Sequence, residues 1–467
     1  MAAVAYSLRT VVNRTPRGVR GRRPVLIALS GSSREALRTN LWSVPTLMVL
    51  IIVGLFILTY QLDVQADTAN LPLPAWVTSG GPDVARQILI AIAAAVITVA
   101  GVVFSITILV LQLASQQFGP RMLRNFIRDT GTQVSLGFFV ASFVYSILAL
   151  QSVSDPPHQF VPHLSTTVAV GLALVDLGVL IYFIDHVAVS IQLTSVVSGI
   201  ARDFRTVLAQ LQANEWQLVR PGHDRDGLDE LIGGADSGEA IAAESSGFLQ
   251  AVGYARLVKI ATESDALIQL LYRPGQFVVA GQPLARVQPS RAVGPVSRRL
   301  VAAHIVGPNR TLTQDPGFAI DQLVEVALRA LSPAVNDTFT ALNCIDWLGD
   351  CLCHAYAQPL PSGVFCDGEG KVRVIEPVVT YERLLKRATD KIRQAGHGMP
   401  AVLIRQLENL QKVMTLVSTP EQRESVLHHA ELLLRASDDS VAEPSDRNDV
   451  RAAYAVLLAY TSDLWEG

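Results

Sequence analysis

Charged residues are scarce in this 467-residue chain: Asp, Glu, Lys and Arg together make up 17% of it, against about 25% in a typical soluble domain. Half of the residues are hydrophobic. Familiar catalytic motifs are missing too, since the sequence has no P-loop, no G-x-G-x-x-G after a strand, no G-x-S-x-G and no H-E-x-x-H. We therefore assign no catalytic residue and expect no cofactor.

Cysteine is limited to four residues of the C-terminal half: Cys344, Cys351, Cys353 and Cys366. Their spacing, C-x6-C-x-C-H-x11-C, matches no usual zinc-ligand pattern, so we predict no metal site. We expect this half of the chain in the cytoplasm, where disulfides are rare.

Charge is absent from residues 88–111, ILIAIAAAVITVAGVVFSITILVL. At about 1.5 Å per residue this stretch makes a helix of roughly 36 Å, enough to cross a hydrocarbon core of about 30 Å. Three more apolar stretches cover residues 41–62, 133–151 and 166–191. The sequence predicts a polytopic α-helical membrane protein with four transmembrane helices between residues 41 and 191, in contact with the lipid bilayer.

The distribution of arginine predicts the topology. Eight arginines precede Trp42, against one acid, and the loop at 119–130 carries three more. The loop at 63–85 has three acids and no base. Because positive loops stay inside, we expect both termini in the cytoplasm. The basic arm at 1–40 could suggest nucleic acid, but beside a membrane span the topological interpretation is favoured, and no nucleic-acid partner is predicted.

The rest of the chain predicts a cytoplasmic α+β domain. We expect a stalk helix that continues from the fourth span, with a linker, over residues 192–238, then a small β-rich module at 239–310 and a helical domain at 311–467. The segment RPGQFVVAGQPLARV resembles a half-motif of barrel-sandwich (biotinyl/lipoyl-like) domains, and an ordinary pair of β-hairpins explains it equally well.

Small and polar residues share one face of the second span, at Ala94, Thr98, Gly101, Ser105, Gln112 and Gln116. This face predicts either a seam for helix packing or the lining of a conduit. Asp176 lies near the bilayer midplane in the fourth span, where Thr98, Ser105 or Gln112 are its expected partners. It is either an ion or proton site or a protonated acid that holds helices together. Asp185 and His186 near the cytoplasmic end are candidates for titration or capping.

The densest polar cluster of the soluble half lies between residues 310 and 340. One interpretation is a capped helix with an ion-pair ladder at Asp321, Glu325 and Arg329, followed by an Asx turn. The other is a site for a small ligand or cation. Its candidate residues are Arg310, Asp315, Asp321, Arg329, Asn336 and Asp337.

Three segments together resemble a bacterial family of predicted membrane proteins, domain of unknown function 2254. They are VAGVVFSITILVLQLASQQFGPRMLRNF (99–126), FVYSILAL with IYFIDHVAVSIQ (143–150 and 181–192) and RTLTQDPGFAIDQLVEVALRALSPAVNDTFTA (310–341). One departure is visible, because Thr338 follows Asn336-Asp337 where the family usually has proline. The resemblance implies an integral membrane protein, which we expect in the inner membrane of a bacterium, and no particular activity.

Two hypotheses from different classes follow. The first is an oligomeric channel-like or transport-related protein, most simply a homo-oligomer, whose cytoplasmic domain senses or gates. The second is a non-transporting scaffold or sensor that binds a cytoplasmic partner or small ligand. A membrane-embedded enzyme comes third.

Overall fold

A computed structural model describes residues 42–69, 80–118, 129–154, 160–216 and 238–465. The predicted basic arm at 1–40 and the arginines of the 119–128 loop lie outside the described residues. Among the described residues before 191 there are four helices, and all are long and apolar enough to cross a membrane. This confirms the prediction of four candidate spans. The helices are α1 (Ser43–Ala69), α2 (Pro82–Phe118), α3 (Thr130–Gln151) and α4 (His163–Ser190).

The third helix is the centre of the four-helix bundle, because α1, α2 and α4 each have more extensive contacts with α3 than with one another. Half of its most apolar window is buried, against 28% for α2 and 17% for α1 and α4. A glycine allows the closest approach: a Cβ on Gly137 would lie 2.9 Å from Cα of Pro45 and 2.7 Å from Sδ of Met48. Small residues let membrane helices approach in this way.

A buried carboxylate joins the first helix to the fourth. Asp63 accepts hydrogen bonds from the backbone N–H of Leu164 (2.7 Å) and from the N–H and hydroxyl of Ser165 (2.9 and 2.7 Å). It therefore caps the first turn of α4, whose N–H groups have no partner within the helix. The sequence placed Asp63 in an outer loop, whereas α1 continues as a helix through Ala69.

The stalk is a separate helix, α5 (Leu193–Trp216). The prediction that the fourth span continues into it without a break is wrong, because α4 ends at Ser190 and the chain turns at Ile191 and Gln192 before α5 begins. The buried face of α5 includes Val197, Phe204 and Leu208, and it packs against the helical part of the C-terminal half.

Two sheets follow the stalk. A five-stranded sheet has the order β1-β5-β3-β8-β7, with β3 and β8 parallel, and a three-stranded sheet has the order β4-β2-β6. The strands are β1 (Glu239–Ala242), β2 (Gly247–Val252), β3 (Leu267–Leu270), β4 (Phe277–Val278), β5 (Pro283–Gln288), β6 (His304–Gly307), β7 (Val364–Cys366) and β8 (Val372–Ile375). Two α-helices, α6 (Tyr254–Glu263) and α7 (Val293–Leu300), lie between β2 and β6 in sequence.

Six helices form most of the chain after residue 310. They are α8 (Pro316–Ala330), α9 (Thr338–Tyr356), α10 (Tyr381–Ala395), α11 (Pro400–Met414), α12 (Pro420–Ser440) and α13 (Pro444–Trp465). They share one apolar core with α5 and with Ala114, near the end of α2. The strands β7 and β8 interrupt these helices and complete the five-stranded sheet, so the sheet and the helices form a connected α+β region.

Candidate functional site

The small and polar face of α2 points away from the bundle. Ala94, Thr98, Gly101, Ser105 and Gln112 are exposed. The buried residues of the same helix lie on its opposite side, since successive residues turn by about 100°; they include Leu89, Ala93, Val96, Ala100, Val103 and Val110. The face is therefore not a packing seam within one chain.

The two hydroxyls on this face bond to their own helix. Thr98 donates to the carbonyl of Ala94 (2.7 Å) and Ser105 donates to the carbonyl of Gly101 (2.8 Å). Neither is bonded to Asp176, and Gln112 is exposed on the same face, so none of the three offers that carboxylate the hydrogen bond that the sequence suggested. The reason is the rotation of α2, which turns these side chains to the outside.

Asp176 is buried between the third and fourth helices, with 5% of its surface exposed. The hydroxyl of Ser142 donates to its Oδ1 at 3.3 Å. Its Oδ2 is buried and has no hydrogen-bond partner among the described residues. The carboxyl group is thus enclosed within one chain and separate from the outward face of α2.

A histidine–aspartate pair fastens α3 to α4 at the end of the bundle that leads to the stalk. Nε2 of His186 lies 2.7 Å from Oδ2 of Asp129, which also caps α3 by accepting from the N–H of Thr132 at 2.8 Å. Burial opposes ionisation of Asp129, but the bonds from Thr132 and His186 outweigh it and lower the pKa of this carboxyl. His186 is therefore a positioned partner, whereas Asp185 is exposed.

The predicted cluster after residue 310 forms an ion-pair network at the N-terminal end of α8. Arg310 donates to Oδ2 of Asp315 (2.5 and 3.0 Å) and to Oδ2 of Asp321 (2.6 Å), and its guanidinium lies 4.9 Å from the ring centre of Phe318. Asp321 also accepts from Arg387 of α10. Burial alone would lower the pKa of Arg310, but the two carboxylates outweigh it and raise this pKa. The network ties α8 to α10.

The remaining candidates lie at the opposite end of α8. Arg329 is exposed and has no part in an ion pair with Asp321. The ion pairs of Asp321 are with Arg310 and Arg387, which lie outside α8, so the predicted ladder does not join these two residues of the helix. Asn336 has a positive φ of 51°, and Asp337 caps α9 by accepting from the N–H of Thr340 at 3.1 Å. Thr338 is the first residue of α9, a position where proline is favoured. The six predicted residues are thus divided between two places.

Arg273 is a candidate that no sequence pattern indicated. It is 7% exposed, and its Nε is buried without a hydrogen-bond partner in the described part of the chain. Its position before the Pro274-Gly275 turn gave no hint of burial. Asp129 was missed as well, although an acid directly before a helix is a recognisable N-cap signal.

The cysteines belong to the packed core. Cys344 and Cys351 lie in α9 and Cys366 lies in β7, all three buried. Burial raises the pKa of the Cys344 thiol to about 12. Within the described part of the chain, no group of three or more His, Cys, Asp or Glu side chains is arranged to hold a metal ion.

Comparison with known proteins agrees with the four spans. The chain matches a family described as "Predicted membrane protein (DUF2254)" over residues 38–412. It is 32% identical over 434 residues to uncharacterized proteins of Mycobacterium bovis and Mycobacterium tuberculosis, covering 90% of this chain and 80% of each relative. No solved structure matches it. The chain therefore belongs to the DUF2254 family of predicted membrane proteins.

Proposed function

We propose that the protein is a homo-oligomeric, channel-like protein of the bacterial inner membrane, with both termini in the cytoplasm and with the outward face of α2 directed at other copies around a conduit. The observation that carries the proposal is the orientation of this face. Thr98, Ser105 and Gln112 are exposed on the side of α2 that is opposite to its buried side.

The chemistry of the face favours protein or water over lipid. A primary amide such as that of Gln112 costs roughly 2–7 kcal/mol in an apolar environment when it has no partner. Ala94 and Gly101 add no bulk, and a Cβ on Gly101 would meet no atom within 4 Å. Another helix can therefore approach closely here, and the hydroxyl oxygens can still accept hydrogen bonds.

The cytoplasmic part is suited to gating because it shares its core with a span. Ala114 of α2 is buried in the same cluster as Ile200 and Phe204 of α5 and Leu323 of α8. A movement of the helical region would therefore reach the end of α2 through packed side chains.

Ion flux through liposomes that contain the purified protein tests the proposal. We expect flux in the wild type, and a reduction of at least about tenfold in Ser105→Leu, since a large apolar side chain would narrow and dehydrate the conduit. Asp176→Asn is the control, because this group is buried inside one chain and is not part of the outward face of α2. Absence of wild-type flux at every pH and voltage would defeat the channel function. If Asp176→Asn alone loses ion flux, the conduit runs through the interior of the bundle and not along the outward face of α2.

One observation favours the second candidate, a scaffold that binds a cytoplasmic partner. Val335 and Phe339, which flank the turn between α8 and α9, are 52% and 86% exposed. Large exposed apolar side chains that lie close together are typical of binding surfaces. A photo-crosslinker in place of Phe339 should capture a defined protein in cells, and its absence would count against this candidate.

A further inference from the structure

A small cavity lies between the stalk helix, the β-strands and the C-terminal helices. Leu208 of the stalk helix α5, Phe365 of β7 and Leu384 of α10 contribute apolar walls, and Pro316 at the start of α8 contributes another. The cavity measures about 40 Å³, room for roughly three water-sized groups. It suits a ligand of only a few heavy atoms.

Arg273 brings a buried positive charge to this cavity. It lines the wall, is 7% exposed, and has an Nε that is buried without a hydrogen-bond partner. Among the described residues, no carboxylate forms a salt bridge with it. The strongest charge that acts on it is that of Asp315, whose Oδ2 is bonded to Arg310 and whose Oδ1 is buried without a hydrogen-bond partner. Burying a charged donor without a hydrogen-bond partner costs free energy, so an additional acceptor next to Nε of Arg273 is favoured.

The other polar side chains of the wall are Tyr254, Gln314 and the carboxylate of Glu376, and each already has a hydrogen-bond partner. The hydroxyl of Tyr254 donates to Glu376 at 2.8 Å. The side-chain amide of Gln314 accepts from the N–H of Val252 (2.7 Å) and donates to its carbonyl (3.0 Å). Among the polar side chains of this wall, Arg273 is therefore the one with an unpaired N–H donor for a ligand.

Of the four charges that act on Arg273, the strongest is the negative charge of Asp315, and the other three are positive. Burial lowers its pKa most, and the charges of Arg383, Arg387 and Arg310 lower it further, while Asp315 raises it. A guanidinium in such surroundings attracts an anion. A carboxylate matches the planar fork of arginine with two parallel hydrogen bonds, and a short alkyl group suits the apolar walls.

We propose that the cavity between the stalk helix, the β-rich module and α10 binds a small monocarboxylate, of acetate or propionate size, whose charged end is held by Arg273. The site lies outside the membrane bundle and uses none of the residues of the α2 face. It therefore stands whether or not the protein conducts ions.

Thermal unfolding of the full-length protein in detergent tests the site. Sodium propionate and sodium acetate are titrated at constant ionic strength, with sodium chloride and propionamide as comparison ligands. We expect a saturable rise in Tm with the carboxylates, because a ligand that binds only the folded state stabilises it. No saturable rise, or an equal rise with chloride or propionamide, would overturn the proposal.

Two substitutions assign the binding to Arg273. Arg273→Lys keeps the charge and removes the fork, and Arg273→Gln removes both; each should weaken propionate binding by at least about tenfold. Arg329→Gln, which removes an exposed arginine from α8, is the matched control and should bind as the wild type does. Unchanged affinity in Arg273→Lys, which keeps the buried charge and should fold, would contradict the assignment.

Discussion

Replacement of Asp63 by alanine tests the contact that joins α1 to α4. The change removes three hydrogen bonds, from the N–H groups of Leu164 and Ser165 and from the Ser165 hydroxyl. A hydrogen bond to a charged group contributes about 1.5–3 kcal/mol, and loss of an N-cap costs about 0.5–2 kcal/mol. Because the three bonds share one carboxylate and are not additive, we expect the free energy of unfolding to fall by about 2–4 kcal/mol.

The assay is reversible unfolding in mixed detergent micelles, followed by circular dichroism. Asp67→Ala is the matched control, since Asp67 is exposed in the same helix one turn later. It should change the free energy of unfolding by less than about 0.5 kcal/mol. If Asp63→Ala is no less stable than Asp67→Ala, the capping argument is refuted.

Three further predictions concern the other contacts. Arg310→Ala leaves the buried Asp315 without its partner and should cost about 3–5 kcal/mol in equilibrium unfolding, against a negligible cost for Arg329→Ala. The folded-state pKa of Asp129 is lowered, so its contribution to stability is complete above the ordinary pKa of 3.8 and is lost as the pH falls below it. Unfolding of Asp129→Asn should lack this pH-dependent contribution. An acid-unfolding profile of Asp129→Asn that matches the wild type would contradict the assignment. Gly137→Ala should lower the free energy of unfolding by about 1–3 kcal/mol through collision with α1, whereas Gly171→Ala, where a Cβ meets nothing within 4 Å, should not.

The four spans could be predicted because long uncharged stretches leave the backbone few alternatives to a membrane helix. Their ends were harder to predict. Residues 63–69 are polar, so the apolar stretch ends before the helix does, and Asp63 was assigned to a loop. Only the packing of α1 against α4 makes a buried carboxylate favourable at this position.

Partners that are distant in sequence could not be predicted. Ser142 bonds to Asp176 across 34 positions, and Arg387 bonds to Asp321 across 66. The periodicity of α2 identified its small and polar face correctly, but periodicity does not say how a helix is rotated in its bundle. The short strands β7 and β8 were missed because three or four residues carry too little alternation to stand out among helices.

The orientation of α2 is the central claim, and cysteine cross-linking between copies tests it most directly. Ser105→Cys places a thiol on the outward face of α2, and Ile181→Cys places one on α4, where Ile181 is 65% exposed. Under oxidation in native membranes, we predict covalent dimers for Ser105→Cys and no more than the wild-type level for Ile181→Cys. Equal, background-level cross-linking in both variants would contradict the proposal that copies meet around α2.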